Sequence, residues 1–109
     1  NDLTGTLPTT LQTMSHLDEL TIGSNAISSS IPAWISKLSK LSLLSLSGNE
    51  LTSTIPTELV ALTKLETLAL EKNFLSGNLD NLNQMPWLRE IYLGDNEFTG
   101  VIDNAFLPR

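Results

Sequence analysis

The stretch Leu41-x-x-Leu44-x-Leu46-x-x-Asn49-x-Leu51 decides the fold, because it recurs along the chain at a fixed interval. Equivalent stretches begin at Leu17, Leu65 and Leu88. Spacings of 24, 24, 24 and 23 residues separate the asparagines, which are Asn1, Asn25, Asn49, Asn73 and Asn96. Chance would not keep leucine and asparagine in phase over most of the chain. The sequence is therefore a tandem repeat, and every residue takes its meaning from its place in the period.

The repeat itself predicts the local structure. Apolar residues alternate in Leu20-Thr-Ile22, so a short strand buries both of them and turns Thr21 outward. Each strand should pair in parallel with its counterpart one repeat away. The asparagine then turns the chain inward, where its amide satisfies backbone groups freed at the bend.

A second motif follows each asparagine, as in Leu51-Thr-Ser-Thr-Ile-Pro56. Pro32 and Pro56 end this second extended element, since proline fixes φ and supplies no N–H donor. Apolar residues at i and i+3 come after these prolines. They predict short helical or 3₁₀ turns over Ala33–Leu38 and Thr57–Leu62 on the convex side.

The complete pattern resembles the plant-type leucine-rich repeat, whose consensus is LxxLxLxxNxLxGxIPxxLxxL, over residues 1–107. Serine replaces the consensus glycine at Ser29 and Ser53, aspartate replaces proline at Asp80 and Asp103, and one residue is missing near Asp80–Leu82. The resemblance implies an α/β leucine-rich-repeat solenoid, a right-handed β-α superhelix with its parallel sheet on the concave face.

The period divides the chain into a partial repeat, 1–16, and full repeats at 17–40, 41–64, 65–87 and 88–109. We expect one solenoid segment over 1–109. No polar or cysteine-bearing cap of the family's kind is found, and this predicts either a section of a longer protein or ends covered by neighbouring chains.

Composition excludes several classes of function. Twelve acidic residues against six basic ones give a net charge of −6, which disfavours binding to nucleic acid or to an anionic membrane. Cysteine is absent, and no nucleophile or carboxylate pair is nominated beside the single histidine, His16. We therefore predict no enzyme, no metal site and no cofactor, and no membrane insertion by this segment.

The outward strand positions form the predicted concave face, which in the resembled family binds proteins and peptides. Tyr92 and Leu43 are candidate anchors, because tyrosine gives a large contact area at low entropy cost. An ordinary solvated ladder is the alternative interpretation. The candidate partner-binding residues are Glu19, Thr21, Leu43, Ser45, Thr67, Ala69, Glu71, Glu90, Tyr92 and Asp95.

Two tryptophans lie outside the repeated apolar positions. Trp34 and Trp87 each either cover a flank of the core or mark a lateral contact with another protein.

The second element also places hydroxyls at equivalent positions. Such rows would suit ice binding if they repeated at the spacing of a parallel sheet, about 4.7–4.9 Å. One row is Thr4, Ser28, Thr52, Ser76 and Thr99. The other begins with Thr6, Ser30 and Thr54 but is broken by Asn78 and Val101, which carry no hydroxyl.

The leading hypothesis is a non-enzymatic module that recognises a protein or peptide through its concave and lateral surfaces, as a receptor, co-receptor or inhibitor. A structural subunit of a multi-protein assembly is the alternative, and ice binding is a minor one. The resemblance places the protein outside the cell, secreted or membrane-anchored.

Overall fold

Residues 4–99 are described by a computed structural model, and within them the chain forms nine short strands and four 3₁₀ helices. The positions Asn1, Val101 and Asp103 named above lie outside the described residues. The strands are β1 (Thr4–Gly5), β2 (Glu19–Thr21), β3 (Ala26–Ser29), β4 (Leu43–Ser45), β5 (Glu50–Leu51), β6 (Thr67–Ala69), β7 (Ser76–Asn78), β8 (Glu90–Tyr92) and β9 (Glu97–Thr99).

One strand from each full repeat enters a four-stranded parallel sheet in the order β2-β4-β6-β8. Its register pairs Leu20 with Leu44, Leu44 with Leu68, and Leu68 with Ile91. These partners are one repeat apart, so the repeat sets both the strand and its register. The predicted concave sheet is confirmed.

An asparagine column fastens this sheet to the turns that follow it. Asn73 Nδ2 donates to the carbonyl oxygens of Leu46 at 3.0 Å and Leu70 at 3.1 Å, while its Oδ1 accepts from the N–H of Leu51 at 3.0 Å. Asn49 and Asn96 make the equivalent bonds to their own neighbours. These three amides satisfy backbone groups at the bend, as the sequence predicted, and each also ties its own turn to the preceding repeat.

The second extended elements pair in parallel too, but with a different register. Their partners are 22 residues apart in β1-β3 and β3-β5, as in Ser28 with Glu50, and 21 apart in β7-β9, as in Ser76 with Glu97. The asparagine explains this offset. The Oδ1 atoms of Asn49, Asn73 and Asn96 accept from N–H groups that lie 22, 22 and 21 residues earlier in the chain. Strand pairing therefore begins two residues short of a full repeat.

This register corrects the expected hydroxyl rows. Ser28 lies across from Glu50, and Ser76 lies across from Glu97, where the rows required Thr52 and Thr99. Ser28 and Thr52, and likewise Ser76 and Thr99, are therefore diagonal neighbours and do not follow the ladder spacing of about 4.7–4.9 Å.

Each repeat returns along its convex side through a five-residue 3₁₀ helix: Thr9–Thr13, Ala33–Lys37, Thr57–Ala61 and Asp80–Gln84. The predicted turns after Pro32 and Pro56 are confirmed, each one residue shorter than expected. The fourth helix forms without proline. There, Asn78 Oδ1 accepts from the N–H of Asp80 at 3.0 Å and closes the turn in its place.

The leucines of all these elements meet in one core. Residues of the two central full repeats are the most deeply buried: Leu44, Leu46, Leu68 and Leu70 are fully shielded from solvent. Leu17, Ile22, Ile91 and Leu93, in the first and last described strand motifs, are only half-buried against the same core. The coils therefore complete one another's interiors, as expected for a solenoid.

Ser29 and Ser53 occupy equivalent places in the repeat, with a backbone conformation that suits glycine. Ser29 and Ser53 have φ of 71°, in the same place in the repeat as Gly5 and Gly77 at 81° and 88°. A residue with a Cβ in this left-handed region costs about 1–2 kcal/mol.

Replacing both serines by glycine (Ser29→Gly, Ser53→Gly) should therefore stabilise the fold. Relief of the strain exceeds the extra entropy of the unfolded chain, so we expect about 0.5–1 kcal/mol per site. The double variant should melt at least about 4 °C higher in a thermal denaturation. Ser36→Gly, within the helix Ala33–Lys37, is the control and should lower the melting temperature. A double variant that melts lower than the parent would contradict this interpretation.

Candidate recognition surface

The outward side chains of the four-stranded sheet form the rows that the sequence predicted. The register aligns Glu19, Leu43, Thr67 and Glu90 in one row, and Thr21, Ser45, Ala69 and Tyr92 in the next. Backbone bonds beyond the strands continue the ladder, including Gly48 N–H to the Glu71 carbonyl at 3.0 Å. The sheet therefore presents one continuous surface, on which Glu71 and Asp95 also lie.

Exposure differs strongly along this surface. Glu19, Thr21, Glu90, Tyr92 and Asp95 are exposed, whereas the middle positions Leu43, Ser45 and Thr67 are half-buried. Ala69 is buried, with 8% of its surface exposed, so it offers a partner almost no contact area. Its register partners in the same row are Ser45 and Tyr92, both of which have larger side chains. Ala69 therefore adds little area to the candidate surface, and its contact with a partner stays a prediction.

Tyr92 dominates the last part of the concave face. It is 47% exposed, and its hydroxyl donates to Glu90 Oε1 at 3.2 Å. The hydrogen bond to Glu90 raises the pKa of Tyr92, with smaller contributions from the charges of Glu90 and Glu71. Glu71 Oε1 is shielded from solvent and has no hydrogen-bond partner among the described residues. Tyr92, Glu90 and Glu71 thus form one acidic cluster with an aromatic centre, which we call the Tyr92 cluster.

The Tyr92 cluster can be monitored directly, because Tyr92 is the single tyrosine of the chain. Its tyrosinate absorbance should titrate above the ordinary pKa of about 10, and Glu90→Gln should lower that midpoint. Since the folded pKa is raised, native protein binds more protons than unfolded protein above about pH 10, so stability should fall as pH rises through this window. Glu58→Gln, on the convex side, is the control. A midpoint unaffected by Glu90→Gln would contradict the described hydrogen bond.

The two tryptophans lie on the flanks of the solenoid. Trp34 and Trp87 are both half-buried and pack against the core, which is the flank-covering arrangement. The Nε1–H of Trp87 is shielded from solvent and finds no acceptor among residues 4–99. Whether either ring also contacts another protein stays a prediction.

Phe74 is an exposed aromatic residue that the sequence analysis did not single out. It is 55% exposed and follows the asparagine of its repeat, where the equivalent residues are Ala26, Glu50 and Glu97. Because the other repeats have a small or acidic residue at this position, an aromatic residue there was the sequence signal that could have identified Phe74.

Neither a metal centre nor a membrane span is indicated within residues 4–99. No group of three or more histidine, cysteine or acidic side chains there is arranged to hold a metal ion. None of the described helices is long and apolar enough to cross a bilayer.

A parallel sheet with one strand per repeat, an asparagine column and a convex 3₁₀ helix in each turn define a solenoid protein. A family model described as "Leucine rich repeat" matches residues 1–51 and 15–75. The chain belongs to the leucine-rich-repeat family.

Solved structures of plant proteins resemble the chain closely. The ectodomain of the Arabidopsis thaliana membrane receptor kinase GASSHO1/SCHENGEN3, in complex with CASPARIAN STRIP INTEGRITY FACTOR 2, is 38% identical with a TM-score of 0.88, over 96% of this chain and 13% of that one. The Arabidopsis receptor kinase HAESA, in complex with the peptide hormone IDA and the co-receptor SERK1, is 34% identical with a TM-score of 0.88, over 96% and 18%.

A structure of another kind is similar as well. A plant ice-binding protein is 34% identical with a TM-score of 0.86, over 95% of this chain and 34% of that one. The chain thus spans well under two thirds of the length of these relatives. It matches no curated protein.

Proposed function

We propose that this chain is a non-enzymatic recognition module that binds a protein or peptide partner on its concave face, centred on the Tyr92 cluster. The main support for this proposal is the half-exposed Tyr92 ring, which a hydrogen bond to Glu90 holds at one end of a continuous parallel sheet. An aromatic ring fixed in this way gives a partner contact area at little entropic cost.

Charge favours a partner with basic side chains. Glu71 and Glu90 lie beside Tyr92, and one shielded oxygen of Glu71 has no hydrogen bond to any residue that the structure describes. A Lys or Arg of the partner placed against this cluster would offset the cost of shielding that carboxylate. Similarity to receptor ectodomains solved with a peptide hormone and a co-receptor supports the same class of partner, and an extracellular location.

The test is a peptide-display selection on the intact chain, followed by affinity measurement on the selected peptides. The triple variant Tyr92→Ala, Glu90→Gln, Glu71→Gln should weaken their binding by well over tenfold, since it removes the anchor and both charges. Met14→Ala, Glu58→Gln, Asp80→Asn is the matched control, because it removes one exposed apolar residue and two carboxylates on the 3₁₀-helix side. Equal affinity for parent and concave triple variant would mean that partners dock elsewhere.

Ice binding is a second candidate, favoured by the 34% identity to a plant ice-binding protein. The register weakens it, because Glu50 and Glu97 lie across from Ser28 and Ser76 where a flat hydroxyl row was expected. Thermal hysteresis of the purified chain decides the matter. A reading of zero at millimolar concentration removes this candidate.

The assembly-subunit alternative concerns the two ends of the described solenoid. Leu17, Ile22, Ile91 and Leu93 are half-buried there, whereas their central equivalents are fully buried. Light scattering after size-exclusion chromatography separates the two roles. A monomer favours the recognition module, and a defined oligomer favours the assembly.

A further inference from the structure

A second surface lies on the lateral edge of the concave sheet, where its strands begin. An open groove of about 730 Å³ is formed there by two neighbouring columns of the repeat. One column holds Lys40, Lys64 and Trp87, and the other holds Ser42, Glu66 and Arg89. The N–H of Glu66 donates to the Ser42 carbonyl and the N–H of Arg89 to the Glu66 carbonyl, each at 2.8 Å. The three residues therefore lie side by side, each directly before its strand, β4, β6 or β8. We call it the lateral groove.

The charge of the lateral groove is opposite to that of the whole protein. The chain has only six Lys and Arg against twelve Asp and Glu, yet three of the six, Lys40, Lys64 and Arg89, line this one groove. Glu66 is the one carboxylate among the lining residues. All three cations are exposed, and within residues 4–99 none of them forms an ion pair. Their charge is therefore open to a partner.

The walls and floor of the groove are partly apolar. Trp87 is half-buried with its ring against the core, Pro86 beside it is exposed, and Leu88 is buried beneath. A small inorganic anion would leave these apolar surfaces in contact with water. An occupant that carries both negative charge and an apolar side chain matches the whole groove, because arginine and lysine pair with carboxylates while the ring packs against carbon.

We propose that the lateral groove binds an acidic segment of a partner polypeptide. Carboxylates of the segment lie against Lys40, Lys64 and Arg89, and an apolar side chain packs on Pro86 and Trp87. This inference deepens the proposed recognition function and rests on it. It assigns a second contact, of opposite charge to the Tyr92 cluster, on a different face of the same module.

The probe is a fluorescein-labelled, acetylated Glu-Glu-Leu-Glu-Glu peptide, titrated with the intact chain by fluorescence polarisation at physiological ionic strength. We expect it to bind at least tenfold more tightly than the Gln-Gln-Leu-Gln-Gln peptide. Lys40→Glu with Lys64→Glu should weaken binding at least tenfold, and Arg89→Gln alone by severalfold. Lys37→Glu with Lys72→Glu is the matched control, since it changes the net charge equally outside the groove and should change the affinity less than threefold.

Three results would overturn the proposal: no saturable binding of the acidic peptide, equal losses from both charge-reversal pairs, or complete competition by 10 mM inorganic phosphate. Circular dichroism of each variant checks that it is folded. Arg89→Gln is the mildest of these substitutions, because it removes one exposed charge and keeps a polar side chain of similar length. The concave triple variant should still bind this peptide. If the acidic peptide does not bind in the lateral groove, but the concave triple variant abolishes binding of the display-selected peptides, only the present inference is wrong and the proposed function stands.

Discussion

Replacing Asn73 by leucine should destabilise the protein by about 3–5 kcal/mol. This is the largest loss of stability that we expect from any substitution proposed for this chain. Asn73 is only 4% exposed, and its amide makes hydrogen bonds to the backbone of Leu46, Leu70 and Leu51. Leucine fills the space but leaves those groups without partners, at about 1–3 kcal/mol for each buried group. Urea denaturation followed by circular dichroism measures the loss.

Two further variants show whether the hydrogen bonds or the packing are responsible. Asn73→Asp keeps the shape and the acceptor but directs a second oxygen at carbonyl oxygens, so it should be at least as damaging near neutral pH. Protonating the introduced carboxyl restores one donor, so the deficit should shrink as pH falls. Asn96→Leu, at a half-buried position with equivalent bonds, should cost less because water can replace them. If Asn73→Leu cost under 1 kcal/mol, the asparagine column would not hold the repeats together.

Gly77→Ala should have the second largest effect, about 2–5 kcal/mol. Gly77 has φ of 88°, and a Cβ built on it would lie 2.7 Å from Thr54 Cγ2 in the preceding repeat. Backbone strain of about 1–2 kcal/mol therefore adds to an overpacking cost of about 1–3 kcal/mol. Threonine is stiff about χ1, which limits its ability to move away. The free energy of unfolding in urea reports the sum.

Gly5→Ala separates the two contributions. Gly5 has nearly the same φ, 81°, but no atom of residues 4–99 lies within 4 Å of the position of its Cβ. Its substitution should therefore cost only the backbone strain. Thr54→Ser removes the methyl group that Gly77→Ala would meet, and combining the two changes should recover most of the clash. Equal losses from Gly5→Ala and Gly77→Ala would show that the repeats are not in contact at this place.

The repeat predicted the elements that depend on periodic burial. Leu44 and Leu68 fall on strands, Ile35 and Leu59 fall on 3₁₀ helices, and Asn49 and Asn73 fall in the column between them. These features depend on which side chains are apolar and which can hydrogen-bond to the backbone. Both properties can be read directly from the residue types.

The register of the second extended elements could not be predicted in this way. Sequence alignment pairs Ser28 with Thr52, but the structure pairs it with Glu50. The offset arises because the Asn49 side chain takes the N–H of Ile27 and thereby sets where the strand pairing begins. The length of the asparagine side chain therefore sets the 22-residue separation of the paired residues, and the 24-residue period of the sequence does not predict it.

Surface features were also only partly predictable. Ala69 is buried and Phe74 is exposed, although periodicity alone predicts neither exposure. The alignment of Lys40 and Lys64 with Trp87 was visible in the sequence. Arg89 lines the same groove from the neighbouring column, a proximity that the period alone does not predict. Contacts between columns depend on side-chain length and direction, which the period leaves open.

Nuclear Overhauser contacts between strands test the stacking of the repeats most directly. The account predicts a single chain of contacts joining Leu20 to Leu44, Leu44 to Leu68 and Leu68 to Ile91, in parallel register. Antiparallel strands would instead bring opposed Cα atoms to about 4.5 Å and give strong Hα–Hα contacts. Observing those Hα–Hα contacts, or finding Leu44 without contact to Leu68, would contradict the solenoid and everything built on it.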